Sequence, residues 1–157
     1  MRCNMRVFLC PYEGFSLAVP MDIVLSVTIN RKNPEKTVEY NQENQNTYIS
    51  LPLLFNCANN NVRHGIILKD GNNDKPENKF VLLTYEIESE AELSLNKIYP
   101  LPEILAAMKF SRFFRGLVFS NCVNREKKTR DTHSQQLILL VDSEHIVQNI
   151  KRELKND

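Results

Sequence analysis

The stretch Gln135-Gln-Leu-Ile-Leu-Leu-Val-Asp-Ser-Glu-His-Ile146 runs five apolar residues straight into an acid, a serine and a helical pattern. A short unbroken apolar run of this kind is a strand buried on both faces. Asp142 ends it. Ser143 is placed to cap a helix, accepting from an N–H two or three residues on. Glu144 then falls in the first turn, where the helix dipole favours negative charge, and Lys151, Arg152 and Lys155 fall near the other end, where it favours positive charge. Ile146, Val147, Ile150 and Leu154 form the apolar stripe. Each polar group in the cluster thus has a structural role. A Ser–His–acid triad is a geometry assembled across a fold, and side chains two apart on one helix do not face each other. No catalytic residue is assigned here.

The same punctuation recurs upstream. Residues 6–11 and 15–19 read as two strands joined by a turn at Tyr12-Glu13-Gly14. Pro20 opens a short helix from Met21 to about Leu25, since proline lacks only an N–H that a first helical turn leaves unpaired. Val27 to Asn30 resumes as strand. Residues 31–46 are polar and read as loop. Tyr48 to Phe55 is apolar but interrupted by Pro52, which marks a strand end or edge. Asn56 to Asn61 is loop. Val62 to Lys69 and Lys79 to Ile87 form a second hairpin about a turn beginning Asp70-Gly71-Asn72-Asn73. The acidic stretch 86–92 leads into Ile98-Tyr99-Pro100-Leu101-Pro102. Glu103 to Phe110 reads as helix, with Ile104, Leu105 and Met108 on one face, and Phe114 to Val123 as strand. About seven to ten short strands arriving as hairpins, with three short helices, predict a mainly β, antiparallel chain of barrels or sandwiches.

The 157 residues fit one domain, 1–157, and can bury a sizeable core without staples. Twenty basic against nineteen acidic residues leave a net charge of +1, which excludes a whole-protein field that gathers nucleic acid or anionic membrane. No apolar run approaches the ~20 residues of a membrane helix, and Pro11 and Glu13 arrive too early for a signal-peptide core, so the expected location is cytoplasmic. Cys3, Cys10, Cys57 and Cys122 form no Cys-x-x-Cys and read as reduced thiols.

Candidate sites are few. Cys57 and His64 lie seven positions apart with no second ligand pair, and His133 has only Cys122 within reach, so no metal is expected. Four glycines in all leave no glycine-rich phosphate cradle, and no cofactor is expected. Residues 125–130 carry four basic side chains in a loop, which reads as a solvated hairpin connection. Phe110-Ser-Arg-Phe-Phe-Arg-Gly-Leu-Val-Phe119 is different. Alternation along a strand turns only one of Phe113 and Phe114 inward. The other, with Arg112 or Arg115, is either covered by the fold or is an interface anchor of the aromatic–arginine type.

In order and spacing these segments resemble the CheW-like domain, the adaptor fold of bacterial chemotaxis arrays. "FLCPYEGFSLAVPMDIVLSV" is similar to the family's opening hairpin and short helix, "NKIYPLPEILA" to the segment joining its halves, "FFRGLVFSNC" to the glycine-led strand of the second half, and "QQLILLVDSEHIVQNI" to its closing strand and helix. The resemblance spans about Arg6 to Ile150. It implies two intertwined five-stranded antiparallel β-barrels with short accessory helices and a C-terminal helix, and no catalysis. It implies as partners the regulatory domain of a CheA-type histidine kinase, the cytoplasmic tip of a chemoreceptor and other CheW-like domains, with no nucleic acid and no membrane insertion. Strand-edge residues Val27 and Ile29, with Phe114 and Arg115, are the expected contacts.

The chain departs from the family's pattern in its first half. Where the family often has an Arg-Gly pair followed by an acid, this chain has Gln45 and Asn46, then Ser50 and Leu53; a typical acid of the middle return strand falls at Tyr85. The loops at 70–78 and 124–134 read as local elaborations. A divergent CheW-like scaffold of another signalling or motility system, and a small metal- or thiol-dependent enzyme, stand as the alternatives.

Overall fold

The computed structural model describes residues 4–70, 79–125 and 136–155. The expected turn beginning at Asp70, the basic loop, His133 and the side chain of Cys122 lie wholly or mostly outside these residues. Two compact units share the chain by turns. The first is built from 1–22 and 87–143, the second from 23–86 and 144–157.

In the first unit, β1 (Asn4–Tyr12) and β2 (Phe15–Pro20) form the expected hairpin, with Gly14 at φ +84° in its turn, a backbone angle that glycine adopts without strain. The sheet order is β10-β8-β1-β2-β11-β9, adding β8 (Ser89–Ser94), β9 (Phe114–Phe119), β10 (Val123–Arg125) and β11 (Leu137–Val141). All neighbours are antiparallel except β2 and β11, which are parallel. Only Ser120–Cys122 separate β9 from β10, the two ends of this order. A flat six-stranded sheet would set its ends about 24 Å apart at ~4.8 Å per strand, and the four steps from Phe119 to Val123 reach only about 14 Å. The sheet must therefore curl strongly, but no described pairing joins β9 to β10, so it is not the closed barrel expected. Val7, Leu9, Ala18, Ala91, Leu93, Val118, Ile138 and Leu140 form its buried core.

The second unit orders β3 (Val24–Ile29), β6 (His64–Leu68), β7 (Phe80–Thr84), β5 (Asn46–Ser50) and β4 (Val38–Asn41) as β3-β6-β7-β5-β4, with β5 and β7 parallel. Helix α1 (Leu51–Leu54) follows β5, and α3 (Ile146–Lys155) returns late in the chain to bury Ile146, Asn149 and Ile150. Lys151 Nζ reaches Asp70 at 3.2 Å and lies 5.7 Å from the centroid of the Phe80 ring, tying the helix to the ends of β6 and β7.

The mainly β architecture in two sheet units is as expected, with six strands in the first sheet and five in the second. Each sheet is mixed, because a strand that returns from far along the chain is not bound to the antiparallel sense a hairpin imposes. Several local expectations are corrected. After Pro20 only one 3-10 turn forms, Met21–Ile23. The polar stretch 31–46 contains β4. Pro52 lies in the first turn of α1, whose N-cap Ser50 accepts from Leu53 N–H at 3.3 Å. The acidic stretch contains the start of β8, where Ala91 and Leu93 turn inward while Glu90 and Glu92 meet Arg6 and Asn4. The helix expected at 103–110 is split into α2 (Glu103–Ala106) and a 3-10 turn, Lys109–Phe113. Ser143 is not the N-cap of α3. That helix starts at Ile146, so His145 stands in the cap position and Glu144 precedes the first turn.

Candidate interaction surfaces

One row of side chains crosses the second sheet from edge to edge: Val27, Ile66, Leu82, Ile49 and Val38 stand opposite one another in register. Residues paired in this way share a face. The three in the middle are essentially fully buried, yet Val27 is 44% exposed. Two positions on, Ile29 is 72% exposed, and Tyr40 on β4 is 49% exposed. The core-facing side of this sheet is thus covered at its centre and open at both margins.

The backbone of β3 is open as well. Asn30 N–H donates to the carbonyl of Arg63, toward β6. Successive residues of an antiparallel strand aim their N–H and C=O to opposite sides. Thr28 therefore faces β6, and Val27 and Ile29 face the other side, where no described strand pairs with β3. On β4 the bond from Ser50 N–H to the carbonyl of Thr37 turns Val38 and Tyr40 outward by the same logic. No charged residue occurs from Ile23 to Asn30, although edge strands are ordinarily blunted by lysine or proline. An open groove of about 1000 Å³ runs between the two margins, bordered by Ile29, the 30–36 connection, Val38 and Tyr40. That connection is pinned by Asn30 Nδ2, which donates to the carbonyls of Lys32 and Val62, and by Asn60 Nδ2, which donates to the carbonyl of Pro34.

In the first unit, Phe113 and Phe114 are both buried, at 4% and 5% exposure, and Arg115 is exposed. The alternation argument fails because Phe113 belongs to the 3-10 turn and not to the strand. Phe114 therefore offers no ring to a partner, and its neighbour Phe110 packs against it edge-on. The exposed apolar groups lie just upstream instead. Ile104 is 79% exposed, Tyr99 47% and Met108 46%. Ile104, Leu105 and Met108 are the apolar face that periodicity finds, but α2 ends at Ala106, so Met108 lies beyond it, and Ile104 and Met108 stay exposed.

Cys57 lies beside Tyr85, whose hydroxyl donates to the carbonyl of Asn59; burial first, and Cys57 second, push the Tyr85 phenol above its usual range. His64 is half-buried in β6. No group of three metal-ligating side chains occurs among the described residues, and none of the described helices is long and apolar enough to cross a membrane.

No family model matches the chain, and no curated protein matches it in sequence. Among solved structures, the scaffolding protein CheW of Thermoanaerobacter tengcongensis superposes with a TM-score of 0.59 over 93% of this chain and 89% of its own, at 14% identity. The fold is that of a CheW scaffold. On this CheW-like frame Gln45, with φ +60°, and Asn46 lie at the tight connection into β5, Ser50 is engaged in capping α1, and Leu53 is part of that helix.

Proposed function

We propose that residues 1–157 act as one CheW-like domain, a non-enzymatic coupling protein of a cytoplasmic chemotaxis array. It would join the cytoplasmic tip of a chemoreceptor to the regulatory domain of a CheA-type kinase and meet other CheW-like domains. The likeness of fold to a CheW scaffolding protein supports this reading. The observation that carries it is the uncharged edge strand with Val27 and Ile29 exposed, a surface with apolar side chains and free backbone groups that suits protein contact. On the first unit Arg115 and the exposed side chains of Tyr99, Ile104 and Met108 offer further contact groups.

The test is co-purification with a CheA regulatory domain and with a receptor cytoplasmic fragment. Retention of both, weakened by Val27→Lys for one partner and by Ile104→Lys for the other, is the expected result. Binding of neither overturns the chemotaxis role. Gln45 and Asn46, standing where the family often has Arg-Gly, favour a second reading: a scaffold of the same fold whose partners come from another signalling or motility system. Retention of partners from that system, with neither chemotaxis partner bound, would establish it.

A further inference from the structure

From the seam between β3 and β4 we infer that the second unit binds an extended peptide strand of a partner, which adds to β3 and fills the groove. The inference takes from the coupling role only that the β3 edge is a docking surface. Three features of the same place carry it. The outward N–H and C=O groups of Val27 and Ile29 are spaced to pair with alternate residues of an added strand. Apolar side chains on one face of an added strand would continue the row Val27–Ile66–Leu82–Ile49–Val38 and cover the exposed Val27 and Ile29, while the groove beside them, lined by Ile29, Tyr40, Tyr48 and Leu83, leaves room for that strand. The groove is lined by Arg31, Lys32 and Lys36 on the connection that follows β3, and by Glu39 and Glu43 on the β4 side, so its positive charge is concentrated at the β3 end. In an antiparallel addition the N-terminal end of the incoming strand lies beside residues 30–32. The ligand is therefore an uncharged segment with β-branched residues at alternate positions, preceded by acidic residues. A helix could cover the apolar groups but could not use the free backbone edge.

The probe is the acetylated peptide amide Asp-Asp-Val-Thr-Val-Thr-Val, with a fluorophore at its C-terminus. Saturable binding is expected, with amide shifts and slowed hydrogen exchange at Val27 and Ile29. Methylating the amide nitrogens of alternate probe residues should weaken binding about tenfold in one phase of the alternation and leave it unchanged in the other, since only one set faces β3. Replacing both aspartates by lysine should weaken it, more so at low salt. Val27→Pro removes an outward donor without touching the β3–β6 ladder, so the folded variant should lose the probe; Val27→Lys is the second variant should the proline disturb folding. Equal sensitivity to both methylation phases, or no binding while the receptor fragment still binds, overturns the inference and leaves the coupling role intact. Saturable binding with neither array partner retained supports the strand site and removes the coupling role. A dimer that Val27→Pro dissolves and the probe does not displace shows that the edge serves a second copy of this chain, and overturns it too.

Discussion

Gly116 lies directly beneath the carbonyl of Tyr99. Tyr99 and Leu117 exchange backbone hydrogen bonds of 2.8 and 2.9 Å, which bring the 98–99 segment down onto β9, and a Cβ at Gly116 would overlap the Tyr99 oxygen and press on Ile98. The obstacle is backbone held by two hydrogen bonds, so it cannot step aside as a side-chain end would.

Gly116→Ala should therefore destabilise the fold by about 1–3 kcal/mol, the range for forcing extra methyl groups into packed sites. Gly65→Ala is the comparison. There the nearest atoms are the side-chain ends Val81 Cγ1 at 2.8 Å and Thr28 Cγ2 at 3.1 Å, which can rotate or shift. Urea denaturation of both variants should show the larger loss at Gly116. Equal losses would mean that the Tyr99 bridge is not a fixed constraint.

The two serines exchange the roles that their neighbourhoods advertise. Ser50 is fully buried, accepts from Leu53 N–H and donates to Asn60 Oδ1 at 3.1 Å. Ser50→Ala removes both bonds and should cost about 0.5–2 kcal/mol, as for a lost cap. Ser143→Ala should stay within about 0.5 kcal/mol, because α3 starts at Ile146 and does not use that hydroxyl as its cap. Thermal unfolding of the pair decides between these roles.

How these elements were legible follows from where their signals lie. β2 and β11 are buried on both faces, and an unbroken apolar run announces that without reference to the rest of the chain. β8 is just as regular, but its outward positions are Glu90 and Glu92, so its two inward residues Ala91 and Leu93 are outweighed by charge. β4 hides for a related reason: it is four residues long and lies at a margin, where little burial is demanded. The apolar identities of Val27 and Ile29 mark the β3 edge in the sequence as an expected contact surface. Its free backbone groups depend on which neighbour β3 pairs with, a long-range fact that no local pattern contains. Alternation leaves one of Phe113 and Phe114 open to a partner only if both belong to the strand; Phe113 lies in the 3-10 turn, and both rings are buried.

Lys151 and Asp70 meet at 3.2 Å with side chains 41% and 32% exposed, so water screens most of their attraction. Lys151→Met keeps the aliphatic stem and deletes the charge. The expected loss is about 0.2–1 kcal/mol, with any contribution from the Phe80 ring inside that range. It should shrink in 1 M salt, where the screening length falls to about 3 Å. A loss that is unchanged by salt would place the role of Lys151 in packing.

Tyr85 provides a pH test of the 56–61 connection. Burial, and after it Cys57, raise the pKa of its phenol above the usual tyrosine value of about 10, and its hydroxyl donates to the carbonyl of Asn59. The protonated form is the one that the folded state favours. Below pH 10 both states hold the proton and the stability contribution is complete. As pH rises through 10 the unfolded chain loses its proton first, the folded state binds more protons, and stability falls until the folded phenol also ionises. Lysines and the other tyrosines titrate in the same range, so the quantity to measure is the stability difference between the wild type and Tyr85→Phe, by urea denaturation at intervals from pH 8 to 11. That difference should be constant up to about pH 10 and then move against the wild type. A difference that stays flat across the whole range would show that Tyr85 titrates as it does in the unfolded chain, and that its hydrogen bond to Asn59 does not hold the connection.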